Sequence, residues 1–176
     1  YLSVAAFYMF HQRLLMASED PHINFGRDGT NVFMRYTLRM LTTQQFQRAA
    51  SLICAMEYLR TTVTEIELGE KRFSLGLWIG GAGSPNDCKQ AKKAIEKFKK
   101  DSEKGNPLVL NECPWCRSEI GILKERPSRV RPADFKNKSV AGLSTDSKDQ
   151  PVLKCSDTKC HFGSLYETLP IEVIDE

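Results

Sequence analysis

The chain has 176 residues, 41% of them apolar, with 25 Lys plus Arg against 22 Asp plus Glu and a formal charge of +3. That is enough apolar material for one packed domain, or one domain with a small insert, and it excludes disorder throughout. So mild a basic balance permits a nucleic-acid partner without arguing for one.

The opening stretch YLSVAAFYMFHQRLLM is apolar, but His11, Gln12 and Arg13 interrupt it and no basic leader precedes it. This is no signal peptide, and its clean apolar run is too short to span a bilayer. No membrane role is expected. Leu2, Ala5, Ala6, Met9, Phe10, Arg13 and Leu14 recur at intervals of three and four, which predicts a helix over 2–17. The start without Met and the strand-like end LPIEVIDE suggest a section of a longer protein.

Pro21, Gly26 and Gly29 break the first helix. VFMRYT at 32–37 is β-branched and aromatic and reads as a covered strand. Residues 42–62 form the clearest helix, with Thr42 or Thr43 as cap. Its buried stripe is Phe46, Ala49, Ala50, Ile53, Cys54, Met56 and Leu59. Gln44, Gln45, Gln47, Arg48 and Glu57 supply the polar side. RFSLGLWIGG at 72–81 reads as a strand running into glycines. A helix over 84–105 follows, with Ser84 as cap, Pro85 in the first turn and Gly105 as stop. Strands alternating with long helices predict an α/β fold with a parallel sheet.

The next segment changes character. Residues 109–169 read as an insert that carries two cysteine pairs, and the α/β pattern resumes in a strand at 170–176. Cys113 and Cys116 form C-x2-C, in LNECPWCRSEIGIL. Cys155 and Cys160 form C-x4-C, in VLKCSDTKCHFG. Two thiolates two residues apart share one ion, and a distant second pair completes a tetrahedron. Four thiolates predict a closed structural zinc site with no open position for substrate. So small an insert buries little apolar area, and a metal would supply the missing folding energy. A redox pair at CPWC is the competing reading, but a polar segment follows it and a second pair waits downstream. His161 is a spare ligand that four cysteines make unnecessary.

VFMRYTLRMLTTQQFQRAASLICAMEYLR, with FSLGLWIGG and the later CPWC, resembles the helicase-like subunit family of the DISARM phage-defence system, the DrmA-like family. The resemblance covers essentially the whole chain. It implies a superfamily 2 helicase, whose two RecA-like lobes hydrolyse ATP while gripping a nucleic-acid backbone. Residues 1–108 would then be part of a RecA-like lobe one with a parallel sheet. The zinc insert at 109–169 would be that lobe's insertion, and 170–176 a strand returning to it. The resemblance also implies DNA and other defence-complex subunits as partners, a cytoplasmic location, and ATP with Mg2+ in the full-length parent. Thr37, Arg39 and Gln44 look like motif Ia, which contacts the tracking strand. Tyr36 stands where the common pattern has Pro, and the Gln falls one position late. Gly80 and Gly81 look like the glycine pair that approaches a backbone phosphate.

The same residues have a reading of their own. Arg35 and Arg39 lie at a strand end and a helix entrance, where ligand sites in open α/β sheets gather. Arg39 suits phosphate oxygens, with Thr37, Thr42, Thr43 and Gln44 adding hydroxyls, an amide and helix N–H groups. The plain alternatives are a surface ion pair for Arg39, a structural one for Arg35 and helix caps for the threonines. Gly80–Gly81 reads equally as a tight turn, and Trp78 as core. KQAKKAIEKFKK reads as the solvated face of an amphipathic helix. RSEIGILKERPSRVRP, beside the cysteines, reads first as a solvated charge run and alternatively as a stretch that would steer DNA. IEVIDE resembles a Walker B strand, but Glu172 interrupts it. In the family the acidic box lies further on, so Asp175 and Glu176 are not assigned to ATP.

No GxxxxGKS or GxxxxGKT occurs, so this chain alone is not expected to turn over ATP. The leading expectation is a fragment of an ATP-dependent DNA translocase that supplies backbone contacts. The alternative is a non-catalytic zinc module that binds nucleic acid or protein, and a third reading is a purely structural α/β domain.

Overall fold

The structure is a computed structural model, and it describes residues 1–19, 30–35, 39–65, 68–77, 85, 87–100, 106–122, 140–163 and 168–172. The chain divides into two compact units, Tyr1–Leu75 and Gly76–Glu176. The first holds helices α1 (Leu2–Glu19) and α2 (Arg39–Thr62). The second holds α3 (Cys88–Lys100) and the short strands β2 (Gly121–Ile122), β3 (Val140–Ala141), β4 (Leu143–Thr145), β5 (Pro151–Leu153) and β6 (Ile171–Glu172). Strand β1 (Leu75–Gly76) lies where the units divide.

In the first unit, α1 packs on α2 through a cluster of Ala6, Ile53, Met56 and Phe73, with Met9, Phe10, Leu52 and Leu75 against it. Phe10 meets Phe73 at 5.2 Å between ring centroids. The segment 68–73 is held by two arginines. Arg13 is buried, with its guanidinium 3.6 Å over the Phe73 ring. It donates to the carbonyls of Leu68 (3.0 Å), Lys71 (2.6 Å) and Arg72 (3.3 Å). Burial and the neighbouring Arg60 pull its pKa down to about 10, with Glu57 opposing them. It therefore stays charged at neutral pH. Arg60 donates through Nε and a terminal nitrogen to both Glu57 oxygens, at 2.9 and 2.7 Å, and reaches the Gly69 and Glu70 carbonyls. Glu57 also accepts the Phe73 N–H at 2.9 Å. A carboxylate only 1% exposed is tolerable because each of its oxygens has a donor.

In the second unit, α3 buries Ala91, Ile95 and Phe98 and lies against β4 and β5. Its cap is Asp87, whose carboxylate accepts the Gln90 N–H at 2.7 Å and the Gln90 side-chain amide at 2.9 Å. This is a side-chain N-terminal cap. β4 and β5 form an antiparallel hairpin with Leu143 opposite Leu153. β2 and β3 form another antiparallel pair, with Gly121 opposite Ala141. Gly121 has φ +97°, and a Cβ there would lie 3.5 Å from the Phe98 ring. Leu77 N–H donates to the Glu172 carbonyl at 3.1 Å, bringing the end of β1 beside β6.

The fold is thus mixed α/β with small sheets, each of two strands among the described residues. The wide parallel sheet expected from the alternating pattern is not found among them. Residues 32–35 form no strand, and Phe33 is 70% exposed. A β-branched and aromatic run becomes a strand only where it joins a ladder, and 32–35 belongs to no sheet among the described residues. Helix α2 starts at Arg39, so Thr42 and Thr43 lie inside it rather than capping it. Arg39, Met40 and Leu41 are good helix formers that extend it by a turn. Glu57, expected on the polar side, is buried, whereas Leu59 and Leu14, expected in buried stripes, are exposed. Within the expected helix at 84–105 the described part is Cys88–Lys100, capped by Asp87; Ser84 and Gly105 lie outside the described residues. No described helix is long and apolar enough to cross a membrane.

Candidate metal centre

Two tight turns carry the four cysteines. The first runs from Cys113 to Ser118. Cys113 N–H donates to the Ser118 carbonyl at 2.8 Å and Arg117 N–H to the Cys113 carbonyl at 2.9 Å. An antiparallel bridge between Glu112 and Glu119 closes its base. Arg117 sits at φ 67°, the left-handed region that glycine favours. An ion pair with Glu112 holds its side chain there.

The second turn runs from Cys155 to Gly163. Cys155 N–H donates to the Phe162 carbonyl at 2.9 Å, Cys160 N–H to Asp157 at 3.1 Å, and Gly163 N–H to Cys160 at 3.0 Å. A Cβ on Gly163 would sit 2.0 Å from the Asp157 carbonyl oxygen, so the turn closes only with glycine. Ser156 Oγ donates to the Glu119 carbonyl at 2.6 Å and joins the two turns. Phe162 is fully buried, and Trp115, 39% exposed, meets it edge-on at 5.9 Å.

The four Sγ atoms of Cys113, Cys116, Cys155 and Cys160 all lie within 4.8 Å of one another. Cys113 lies 3.9 Å from Cys160, and Cys116 lies 3.3 Å from Cys155. A tetrahedral ion with metal–sulfur bonds of about 2.3 Å places its sulfurs roughly 3.8 Å apart. The donor set and its spacing therefore fit one thiolate-bound metal ion. His161 is not in the cluster; its ring stacks edge-on against Phe162.

The local electrostatics suit a cation. Burial pushes the Cys160 thiol up to about 11, helped by Cys116 and Cys113 and opposed by the Phe162 backbone. Burial likewise raises Cys155, with the Asp157 N–H, 3.4 Å from its sulfur, pulling the other way. Burial raises Cys116 as well, but the Ser118 hydroxyl and backbone, with the Cys155 and Cys160 thiols, outweigh it and bring it down to about 7. Ser118 Oγ lies 3.2 Å from that sulfur. Four thiols so close cannot all ionise unaided, and a bound cation reverses that.

The supporting groups Ser118, Ser156, Asp157 and Gly163 were missed in the sequence. Serine, aspartate and glycine are common in any loop, so only the cysteine spacing marked the place. Thr37, Gly80 and Gly81 lie outside the described residues, as do Tyr36, Trp78, Asp175 and Glu176. Arg39 is the first residue of α2, with its side chain outside the described set. Gln44 is exposed in that helix, and Arg35 is exposed at the end of segment 32–35.

No family model matches the chain. The whole chain aligns with the DISARM protein DrmA of Bacillus paralicheniformis, at 30% identity over 181 residues. The two are distant relatives. The chain spans 14% of that protein's length.

Proposed function

We propose that this chain is a section of lobe one of an ATP-dependent DNA helicase or translocase in a cytoplasmic phage-defence complex. The observation that carries the reading is the alignment of all of this chain with a DISARM protein. In this reading residues 1–108 belong to a RecA-like lobe, 109–169 form a zinc-stapled insertion, and 170–176 return to the lobe. Cys113, Cys116, Cys155 and Cys160 hold the zinc, which crosslinks two turns and leaves no open position for chemistry. ATP and Mg2+ belong to the full-length parent; the sequence has no phosphate-binding lysine loop to hold them.

Thr37, Arg39, Gln44, Gly80 and Gly81 contact the DNA backbone, and motion of the lobes turns that grip into steps. Other subunits of the defence complex are its protein partners. The second reading, a non-catalytic zinc module that binds nucleic acid or protein, draws support from the exposed Trp115 and Arg117 on the first cysteine turn.

The test is DNA-stimulated ATP hydrolysis by the full-length parent and its Arg39→Ala variant. The proposal expects the stimulation to need about tenfold more DNA in the variant, with basal hydrolysis unchanged and the salt slope of binding shallower by about one. Equal stimulation in both proteins overturns the contact. A parent with no ATP hydrolysis leaves the non-catalytic reading standing instead.

A further inference from the structure

Helix α3 has two unlike sides. Ala91, Ile95 and Phe98 are buried. Lys89, Lys93, Lys97 and Lys100 are exposed. At about 100° per residue these four fall within roughly 80° of one another, opposite the buried side. Glu96 is the one acid on their face, and among the described residues it makes no ion pair with them. Lys92, at the edge, is taken by Asp149 at 2.7 Å.

Helix stability does not account for this arrangement. The last-turn lysines, Lys97, Lys99 and Lys100, suit the negative end of the helix dipole. Lys89 lies in the first turn, where a cation is unfavourable and where the helix has no acid. Only Lys100 has an acid four residues before it, Glu96; Lys89, Lys93 and Lys97 have none to form the pairs that stabilise a solvated helix. Four like charges are left aligned on one rigid helix, packed on the hairpin that leads into the second cysteine turn.

We infer that the outer face of α3, through Lys89, Lys93, Lys97 and Lys100, is a docking surface for the phosphate backbone of nucleic acid. The four lysines span about 16 Å along the helix axis. One strand of duplex presents a phosphate about every 3.4 Å, so the row meets four or five of them. Lysine is a point charge on a flexible stem, suited to following a backbone without reading bases. This surface shares with the proposed function only its partner, and it needs none of the contacts at Arg39 or Gly80–Gly81.

The experiment measures binding of the metal-loaded chain to fluorescein-labelled single-stranded and duplex DNA by anisotropy, over a range of KCl. The variant is Lys89→Gln, Lys93→Gln, Lys97→Gln and Lys100→Gln together. A control carries Lys148→Gln and Lys159→Gln, exposed in the same unit. Metal content and circular dichroism verify that all proteins are folded. The inference expects at least tenfold weaker binding by the quadruple variant at low salt. Its salt slope should be shallower by about three, at 0.7–0.9 per lost phosphate contact, while the control matches the parent. An unchanged slope, an equal loss in the control, or no DNA binding by the parent chain would overturn it; an acidic protein partner would give the last result. Arg39→Ala tests the other contact separately. A steep slope lost only in the quadruple variant supports this face and counts against the strand-end site.

Discussion

The two units solve the same problem by opposite means. The first buries an apolar cluster between two long helices and fixes one loop with buried Arg13, Glu57 and Arg60. The second is built on strands of two or three residues, far too short to hold together by their own ladders. Its turns converge instead on four sulfurs. The difference teaches where each unit is vulnerable: the first to loss of a buried polar partner, the second to disruption of its sulfur cluster.

The largest effect should come from removing the metal. Chelation, or Cys155→Ser, is expected to collapse the amide resonances of the second unit and leave those of the first dispersed. The free energy at stake is about 10–16 kcal/mol, typical of a structural zinc. Both units melting together would break the comparison. Next is Glu57→Ala, which strands Arg60 and the Phe73 N–H. It should destabilise the first unit by about 3–5 kcal/mol in denaturant titration while metal content stays at parent level.

The pH dependence of metal affinity sharpens the account of the centre. Cys155 and Cys160 are raised, so both carry protons at neutral pH without metal, and binding must release them. Affinity should therefore rise with pH above 7, by at least about two log units per pH unit, because Cys155 and Cys160 each release a proton. Below about 7, Cys116 also becomes protonated and the fall is steeper. A competition titration with a chromophoric chelator reads this slope. The smallest effect is expected from Ser118→Ala, which removes the hydroxyl beside Cys116. It should weaken metal binding ten- to a hundredfold with the fold retained.

The centre was the most legible part of the sequence because cysteines spaced two and four residues apart have few other uses. The helices were legible in place but not in their ends. Ser84 and Asp87 are both capping residue types; Ser84 lies outside the described residues, and Asp87 caps α3 by accepting both the Gln90 N–H and its side-chain amide. Glu57 and Arg13 were not legible, since a charged residue in a helix pattern normally faces water and only the loop at 68–73 makes burial tolerable. The segment 32–35 misled because its strand-forming residues carry no information about a partner. The grouping of α3 with the cysteine hairpins was also hidden: no periodicity shows that Phe98 lies beside Gly121.

The central physical claim is that one ion, held by two cysteine turns, is what keeps the second unit together. X-ray absorption at the metal edge of the natively purified chain tests it most directly. One zinc per chain with four sulfur neighbours at about 2.3 Å is the predicted result. A folded chain without metal, or an ion bound through His161 nitrogen or oxygen donors in place of a cysteine, would contradict it.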